Sequence, residues 1–277
     1  MASKGGIKQL CSSMTEKDLP NYLNGKFKAQ RKVDGERIMA IKQDGTITLM
    51  NRRGRIKNTF YAEVVEELLT IDGDFIIDGE MALWTGEDNF THFQRRALTS
   101  KAEKQEAVRE EIPVSYYVFD IIKVGGEFIH NKPLKERFSH LENNSVINFT
   151  QTKHIHLIPF HDNIEEMNEK SKALGWEGLV IKNMDSPYEF KRTDNWKKLK
   201  NFQEEVWALV QYTDNNAGIR CVNTEGKPVQ VSGAQSTSVK NKLDSGEVVE
   251  AEIQFLSKNE DNGNYRMATF KREVGAE

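Results

Sequence analysis

The chain has 277 residues, a formal net charge of −3, 29% charged and 38% hydrophobic residues, with 14 Phe, 7 Tyr and 4 Trp. A chain of this length buries roughly three quarters of its unfolded surface, and so many aromatics with so little net charge exclude a disordered chain. No stretch reaches the ~20 apolar residues of a membrane span, and the small net charge excludes a chain that coats nucleic acid through overall charge, though not a local basic face.

The opening MASKGGIKQLCSSM lacks the apolar run of a secretory signal. Cys11 and Cys221 are too few for a disulfide framework or a zinc site of their own. The expected setting is therefore reducing and intracellular, the cytoplasm.

In chain order, KFKAQRKVDGERIMAIK (26–42) reads as strand, Asp-Gly turn, strand, and Asp44-Gly45 joins IMAIK to TITLM as a hairpin. YAEVVEELL (61–69) reads as a short helix and FIIDGEMALW (75–84) as strand, turn, strand. Residues 88–110 are polar and free of Gly and Pro, with Phe90, Phe93, Ala97 and Leu98 on one helical face. VSYYVFDII (114–122) is a buried strand, and a helix is expected over 133–142, opening on Pro133. HIHLIPF (154–160), GLVIK (178–182) and WKKLK (196–200) read as strands, with an acidic amphipathic helix over 163–174.

After Lys200 the texture changes to five short strand candidates: EEVWALVQY, AGIRCVN, KPVQVSG, EVVEAEIQFL and YRMATFK. A short helix over 235–244 falls between the third and fourth, a pattern that suits a small closed barrel of the OB-fold kind. The domain boundary is placed near 200–203, giving domains 1–200 and 201–277.

Five local patterns carry chemistry. In KVDGER (32–37), Lys32 follows an extended segment on which it shares a face with Gln30. A nucleophilic lysine needs a lowered pKa, which burial and a nearby cation such as Arg37 would supply, whereas Asp-Gly alone is also the commonest hairpin signal. Asp78-Gly79-Glu80 and Glu177-Gly178 place carboxylates at strand edges. Such groups join phosphate oxygens as magnesium ligands, or else are solvated turn residues. Phe119 in YVFD is a base platform or a core residue. Lys198 and Lys200 share a strand face that would hold a phosphate, or that protects an edge strand.

Their order and spacing decide between these readings. KVDGER, NRRG (51–54), DGE, YVFD, EGLVIK and WKKLK together resemble the covalent nucleotidyltransferase superfamily of ATP-dependent DNA ligases, RNA ligases and mRNA capping enzymes, over about residues 26–200. The resemblance implies an α+β fold: a nucleotidyltransferase (ATP-grasp-like ligase) domain of antiparallel sheets with flanking helices, followed by a small OB-fold β-barrel. It implies ATP and Mg2+, with Mn2+ as a substitute. Lys32 would attack the α-phosphate to give lysyl-AMP, and AMP would pass to the 5′-phosphate of a nick before the 3′-hydroxyl displaces it. Arg37 and Arg52 would bind phosphate or ribose, Glu80 the ribose or a metal, Glu177 a metal, and Phe119 the adenine. Lys182, Lys198 and Lys200 would line the phosphate pocket.

Three positions depart from the pattern. Gln30 stands where many DNA ligases have a glutamate that accepts from the adenine amino group, and Asn51 where a serine is frequent before Arg52. The Arg-x-Asp-Lys end motif of capping enzymes is missing, and NGNYRMATFKRE (262–273) offers Arg266, Lys271 and Arg272 for pyrophosphate or DNA instead.

Arg53, Arg55 and Arg192 are expected on DNA phosphates, whereas the lysines of residues 1–31 read as a solvated face. The expectation is a minimal two-domain ATP-dependent DNA ligase of phage, viral or bacterial accessory type. It would act as a monomer on nicked duplex DNA, away from membranes. An RNA ligase or mRNA guanylyltransferase is the alternative within the superfamily, and a catalytically inactive nucleic-acid-binding module the alternative outside catalysis.

Overall fold

The computed structural model describes residues 8–85, 89–259 and 262–275. The chain divides into two compact units, Met1–Lys200 and Asn201–Glu277.

The strands and helices of the first unit are β1 (Leu10–Met14), β2 (Phe27–Arg31), β3 (Glu36–Gln43), β4 (Thr46–Asn51), α1 (Ala62–Thr70), β5 (Phe75–Leu83), α2 (Phe90–Leu98), α3 (Ala102–Glu111), β6 (Val114–Val124), β7 (Glu127–Phe128), α4 (Leu134–Glu142), β8 (Ile155–Leu157), α5 (Ile164–Ala173), β9 (Gly178–Asn183) and β10 (Arg192–Lys200). They build two sheets, one of order β1-β10-β9-β2 and one of order β4-β3-β5-β6-β7 with β8 beside β6. Most pairings are antiparallel, but β1 runs parallel to β10 and β8 parallel to β6, so the expected antiparallel sheets are mixed.

The hairpin at Asp44-Gly45 forms as expected. Both residues have positive φ, +49° and +74°, which the tight two-residue turn demands. The other two Asp-Gly pairs in the expected strands do not make hairpins. At Asp34-Gly35 the chain leaves one sheet for the other: β2 pairs with β9, and β3 with β4 and β5. Gly35 is needed for close approach, since a Cβ there would lie 1.9 Å from the Met81 carbonyl oxygen. Asp78-Gly79 sits inside the unbroken β5, where Gly79 passes against Tyr116 and Tyr117 and the register to β6 shifts. The single helix expected over 88–110 is two, α2 and α3, and residue 88 lies outside the described ones. Phe93 and Ala97 are buried, but Leu98 is exposed.

Four apolar clusters hold the described part of the unit, the smallest of them Val33, Ala82 and Ile158. The largest packs Tyr61, Val64 and Leu68 of the α1 region, Phe93 of α2 and Phe138 of α4 on the six-stranded sheet. A second joins Ile164 and Met167 of α5 to Ala29, Leu179 and Ile181. A third, with Met39, Ile122, Tyr188 and Trp196, joins residues of both sheets.

The second unit contains β11 (Gln203–Asn215), β12 (Gly218–Asn223), β13 (Pro228–Val231), α6 (Ala234–Asp244), β14 (Val249–Phe255), β15 (Ser257–Lys258), β16 (Tyr265–Arg266) and β17 (Thr269–Glu273). A closed barrel runs β11-β12-β13-β17-β14, with α6 between its third and fourth strands in chain order, as in an OB-fold. Strict alternation in VEAEIQF turns Val249, Ala251, Ile253 and Phe255 inward. The expected last strand, YRMATFK, is split. Met267, at φ +58°, breaks it into β16, which pairs with β15, and β17, which closes the barrel.

Candidate active site

A cavity of about 260 Å³ in the first unit is lined by Gln30, Lys32, Arg37, Arg52, Glu80, Phe119, Lys182, Lys198 and Lys200. The change of sheet after β2 sets Lys32 at its rim, where the Lys32 N–H donates to the Gly178 carbonyl at 2.9 Å. β9 and β10 approach so closely at Gly178 (φ +144°) that a Cβ would lie 2.0 Å from the Leu199 carbonyl oxygen. That approach brings Glu177 between two ammonium groups: Lys32, in direct contact, and Lys200 at 2.8 Å.

These contacts reverse the shift expected of Lys32 as a nucleophile. Burial works to lower the Lys32 pKa, but Glu177 and then Glu80 outweigh it and leave the ammonium above its ordinary range. Burial works to raise the Glu177 carboxyl, and Lys32 and Lys200 hold it below. Glu80 is different: burial pushes it up to about 8 against the pull of Lys32 and Arg37. Burial likewise brings Lys182 down to about 7, and burial with the neighbouring Lys200 lowers Lys198.

Gln30 is buried, and its Nε2 donates to the Ile158 carbonyl at 2.8 Å. That bond fixes which way the amide faces, and its Oε1 is left buried without a partner among the described residues. Phe119 stands edge-on to Trp196, and the Lys182 ammonium lies 4.4 Å from its ring centre and 3.9 Å from that of Trp196.

Arg37 is more committed than expected. Nε and Nη2 hold Asp78 at 3.1 and 2.5 Å, and Nη1 donates to the Gln9 carbonyl at 2.5 Å. Its guanidinium also lies 5.2 Å from the Phe119 ring centre, so its visible task is to tie the two sheets at the pocket wall.

Of the residues assigned to DNA, Arg192 lines this same cavity beside Lys198, its guanidinium donating to the Cys11 carbonyl. Arg53 and Arg55 are exposed on the turn after β4. Lys271 pairs with Glu204 at 2.5 Å and Glu252 at 2.8 Å, and Arg272 with Glu252 at 2.6 Å, so carboxylates of the barrel surface match their charge. Arg266 lies in the short β15–β16 pairing.

Sequence reasoning missed several contributors. Lys8 is expected on a solvated face. It is buried, donating to the Arg37 and Met50 carbonyls at 3.2 and 2.9 Å. Lys4 lies outside the described residues. Asn51 organises the arginine turn: its Oδ1 accepts from the Arg53 and Arg55 N–H groups at 2.9 and 3.0 Å, and its Nδ2 donates to Glu36 at 2.8 Å. Asn is a frequent turn residue for this reason, and that was the available signal. The Ile158 carbonyl and the pocket wall of Val33 and Val180 carried no sequence signal.

A family model described as ATP dependent DNA ligase domain matches residues 8–200. The chain belongs to that family. DNA ligase 1 of Methanosarcina acetivorans is 29% identical over 216 residues, covering 72% of this chain and 37% of that protein. The chain thus spans little more than a third of the length of the archaeal relatives it matches.

Two solved ligase structures share the fold. A Lig E DNA ligase aligns with TM-score 0.65 and 17% identity over 96% of this chain and 99% of that one. The mycobacterial DNA ligase D complexed with ATP and MES aligns with TM-score 0.61 and 17% identity over 99% of this chain and 96% of that one. The family match ends at Lys200, where the first compact unit of this ligase-family chain also ends. Among the described residues no helix is long and apolar enough to cross a membrane.

Proposed function

We propose that the chain is a DNA ligase that uses ATP to seal 5′-phosphate/3′-hydroxyl nicks in duplex DNA. The observation that carries this reading is Lys32, held by Glu177 and flanked by Lys198 and Lys200, in a cavity that also offers the unpaired Gln30 Oε1. An acceptor fixed at that point pairs with the amino group of adenine and opposes the carbonyl oxygen of guanine. It therefore favours ATP, and speaks against a guanylyltransferase.

In this reading the Lys32 amine attacks the α-phosphorus, forming a phosphoramidate to AMP and releasing pyrophosphate. The AMP passes to the 5′-phosphate of the nick, freeing the amine, and the 3′-hydroxyl then displaces AMP to form the phosphodiester. Lys32 must first lose its proton. Glu177, the ionised carboxylate in direct contact with the ammonium, is the group placed to accept it. Lys198, Lys200, Arg192 and Arg52 neutralise phosphate oxygens, and Phe119 offers its ring to the base.

Among the described residues no three His, Cys, Asp or Glu side chains group as a metal site. Glu80 and Glu177 would therefore hold Mg2+ or Mn2+ only together with substrate phosphate oxygens and water. Such a metal would supply charge neutralisation on those phosphates. The first unit is the adenylyltransferase domain and the barrel its OB-fold partner. The enzyme acts as a monomer inside the cell, where both free cysteines stay reduced.

The test is sealing. Protein, ATP and magnesium are incubated with an end-labelled nicked DNA duplex and, in parallel, an RNA-nicked one. A lengthened DNA strand supports the proposal, whereas joining of RNA alone, or of neither, refutes it.

A further inference from the structure

Beyond the nucleotide cavity lies a row of rings that the reaction just proposed does not use. Tyr117 packs with Val33, Ala82 and Ile158, and Val33 and Ile158 also line the cavity, so the row begins at the cavity wall. The Tyr117 ring lies 5.3 Å from His156, and the Trp84 ring stands edge-on to His154 at 4.8 Å. The Lys153 ammonium lies 5.1 Å from the centre of the Trp84 ring.

The rings are anchored rather than loose. The Tyr117 hydroxyl donates to the Leu83 carbonyl at 3.0 Å, His154 Nδ1 bonds the Val114 carbonyl at 3.0 Å, and His156 Nε2 bonds the Ser115 hydroxyl at 3.2 Å. Glu67, the nearby acid, is occupied by the Lys153 and His154 backbone N–H groups. Among the described residues no carboxylate pairs with the Lys153 ammonium. Trp84 is nevertheless 37% exposed, which is unusual for a ring this well supported.

We propose that Trp84, His154 and Lys153 form a DNA-contact platform for the duplex flank beside the nick, with Lys153 on a phosphate and the Trp84 ring against the sugars. This rests on the ligase reading given above. A rigid aromatic surface with a free cation, continuous with a nucleotide site, matches a sugar-phosphate backbone.

β5 also sets its distance. Glu80 lines the cavity and Trp84 follows four residues later, about 13 Å at ~3.3 Å per residue. At ~3.4 Å of rise per base pair, the platform meets the duplex at most about four base pairs from the point that Glu80 faces.

The experiment uses the full chain and nicked duplexes whose flanks are shortened on each side in turn past about four base pairs. Binding and sealing are measured alongside ATP-dependent labelling of the protein. The expected result is that shortening one flank weakens wild-type binding roughly tenfold. Trp84→Ala should bind the long duplex about as weakly as wild type binds the short one, with no further loss on shortening. Lys153→Ala should lower the slope of log affinity against log salt by about one. Labelling by ATP reports an intact first unit, and Trp84→Phe should restore part of the affinity if Trp84→Ala labels poorly. Variants that label normally but keep wild-type flank and salt dependence overturn the platform while leaving the ligase reading in place. A wild-type chain that labels but seals no nick overturns both.

Discussion

Replacing Gln30 with methionine separates recognition of the base from every other task of the cavity. Nε2 supplies the Ile158 carbonyl at 2.8 Å, while Oε1 is buried and unpaired. Methionine keeps the volume and removes both groups. In the free protein two effects oppose each other. An unsatisfied acceptor disappears, and the Ile158 carbonyl loses its donor, each worth about 1–3 kcal/mol. Folding stability should therefore change by less than about 1 kcal/mol.

With nucleotide present the effects no longer cancel. On the proposed reading, wild type would gain a hydrogen bond with adenine and confront an acceptor with guanine, a difference of about 1–3 kcal/mol, or roughly 5- to 150-fold. The assay is the initial rate of protein labelling by ATP and by GTP, compared as kcat/KM. Gln30→Met should lose about tenfold or more of the ATP preference. Gln30→Glu keeps the acceptor but faces the Ile158 carbonyl with a second oxygen, so it should retain the preference and lose stability. An unchanged ATP-to-GTP ratio in Gln30→Met would refute the reasoning.

Three further outcomes follow from the same geometry. Lys182 titrates near 10.5 when unfolded and at about 7 when folded, so between those values the unfolded chain binds more protons and stability rises with pH. Lys182→Met should abolish that rise in denaturation curves and be roughly 2–4 kcal/mol more stable at pH 7. Gly178→Ala should cost about 2–4 kcal/mol in chemical denaturation and reduce labelling, because the added methyl strikes the Leu199 carbonyl and forces apart the strands that carry Lys200 and adjoin Glu177. Asn51→Ala frees the arginine turn, so it should cost roughly 1–2 kcal/mol of stability and raise the KM for ATP more than it lowers kcat. Wild-type KM in that variant would show that Asn51 does not position Arg52.

The candidate site was legible because its parts are local: KVDGER, DGE, EGLVIK and WKKLK each keep their candidate residues within a few positions, and the fold brings Lys32, Glu80, Lys182, Lys198 and Lys200 to one cavity. What stayed hidden depends on distant partners. Asp34-Gly35 and Asp78-Gly79 have the composition of hairpins. Only the pairing of β2 with β9, and the passage of Gly79 against Tyr116, show why glycine is there. The break between α2 and α3 has no Gly or Pro to announce it. Lys8 looked solvated because lysine usually is, yet the Arg37 and Met50 carbonyls draw it inside. The Lys32 shift ran opposite to expectation because Glu177 is 145 residues away in sequence.

The central claim is that Lys32 carries the nucleotide. The most direct measurement is mass analysis of the protein after incubation with ATP and magnesium, with the modified peptide sequenced. The account predicts one added AMP on the peptide containing Lys32, removed by pyrophosphate or nicked DNA, and none on a folded Lys32→Ala variant. AMP on another residue, or undiminished labelling of Lys32→Ala, would contradict it.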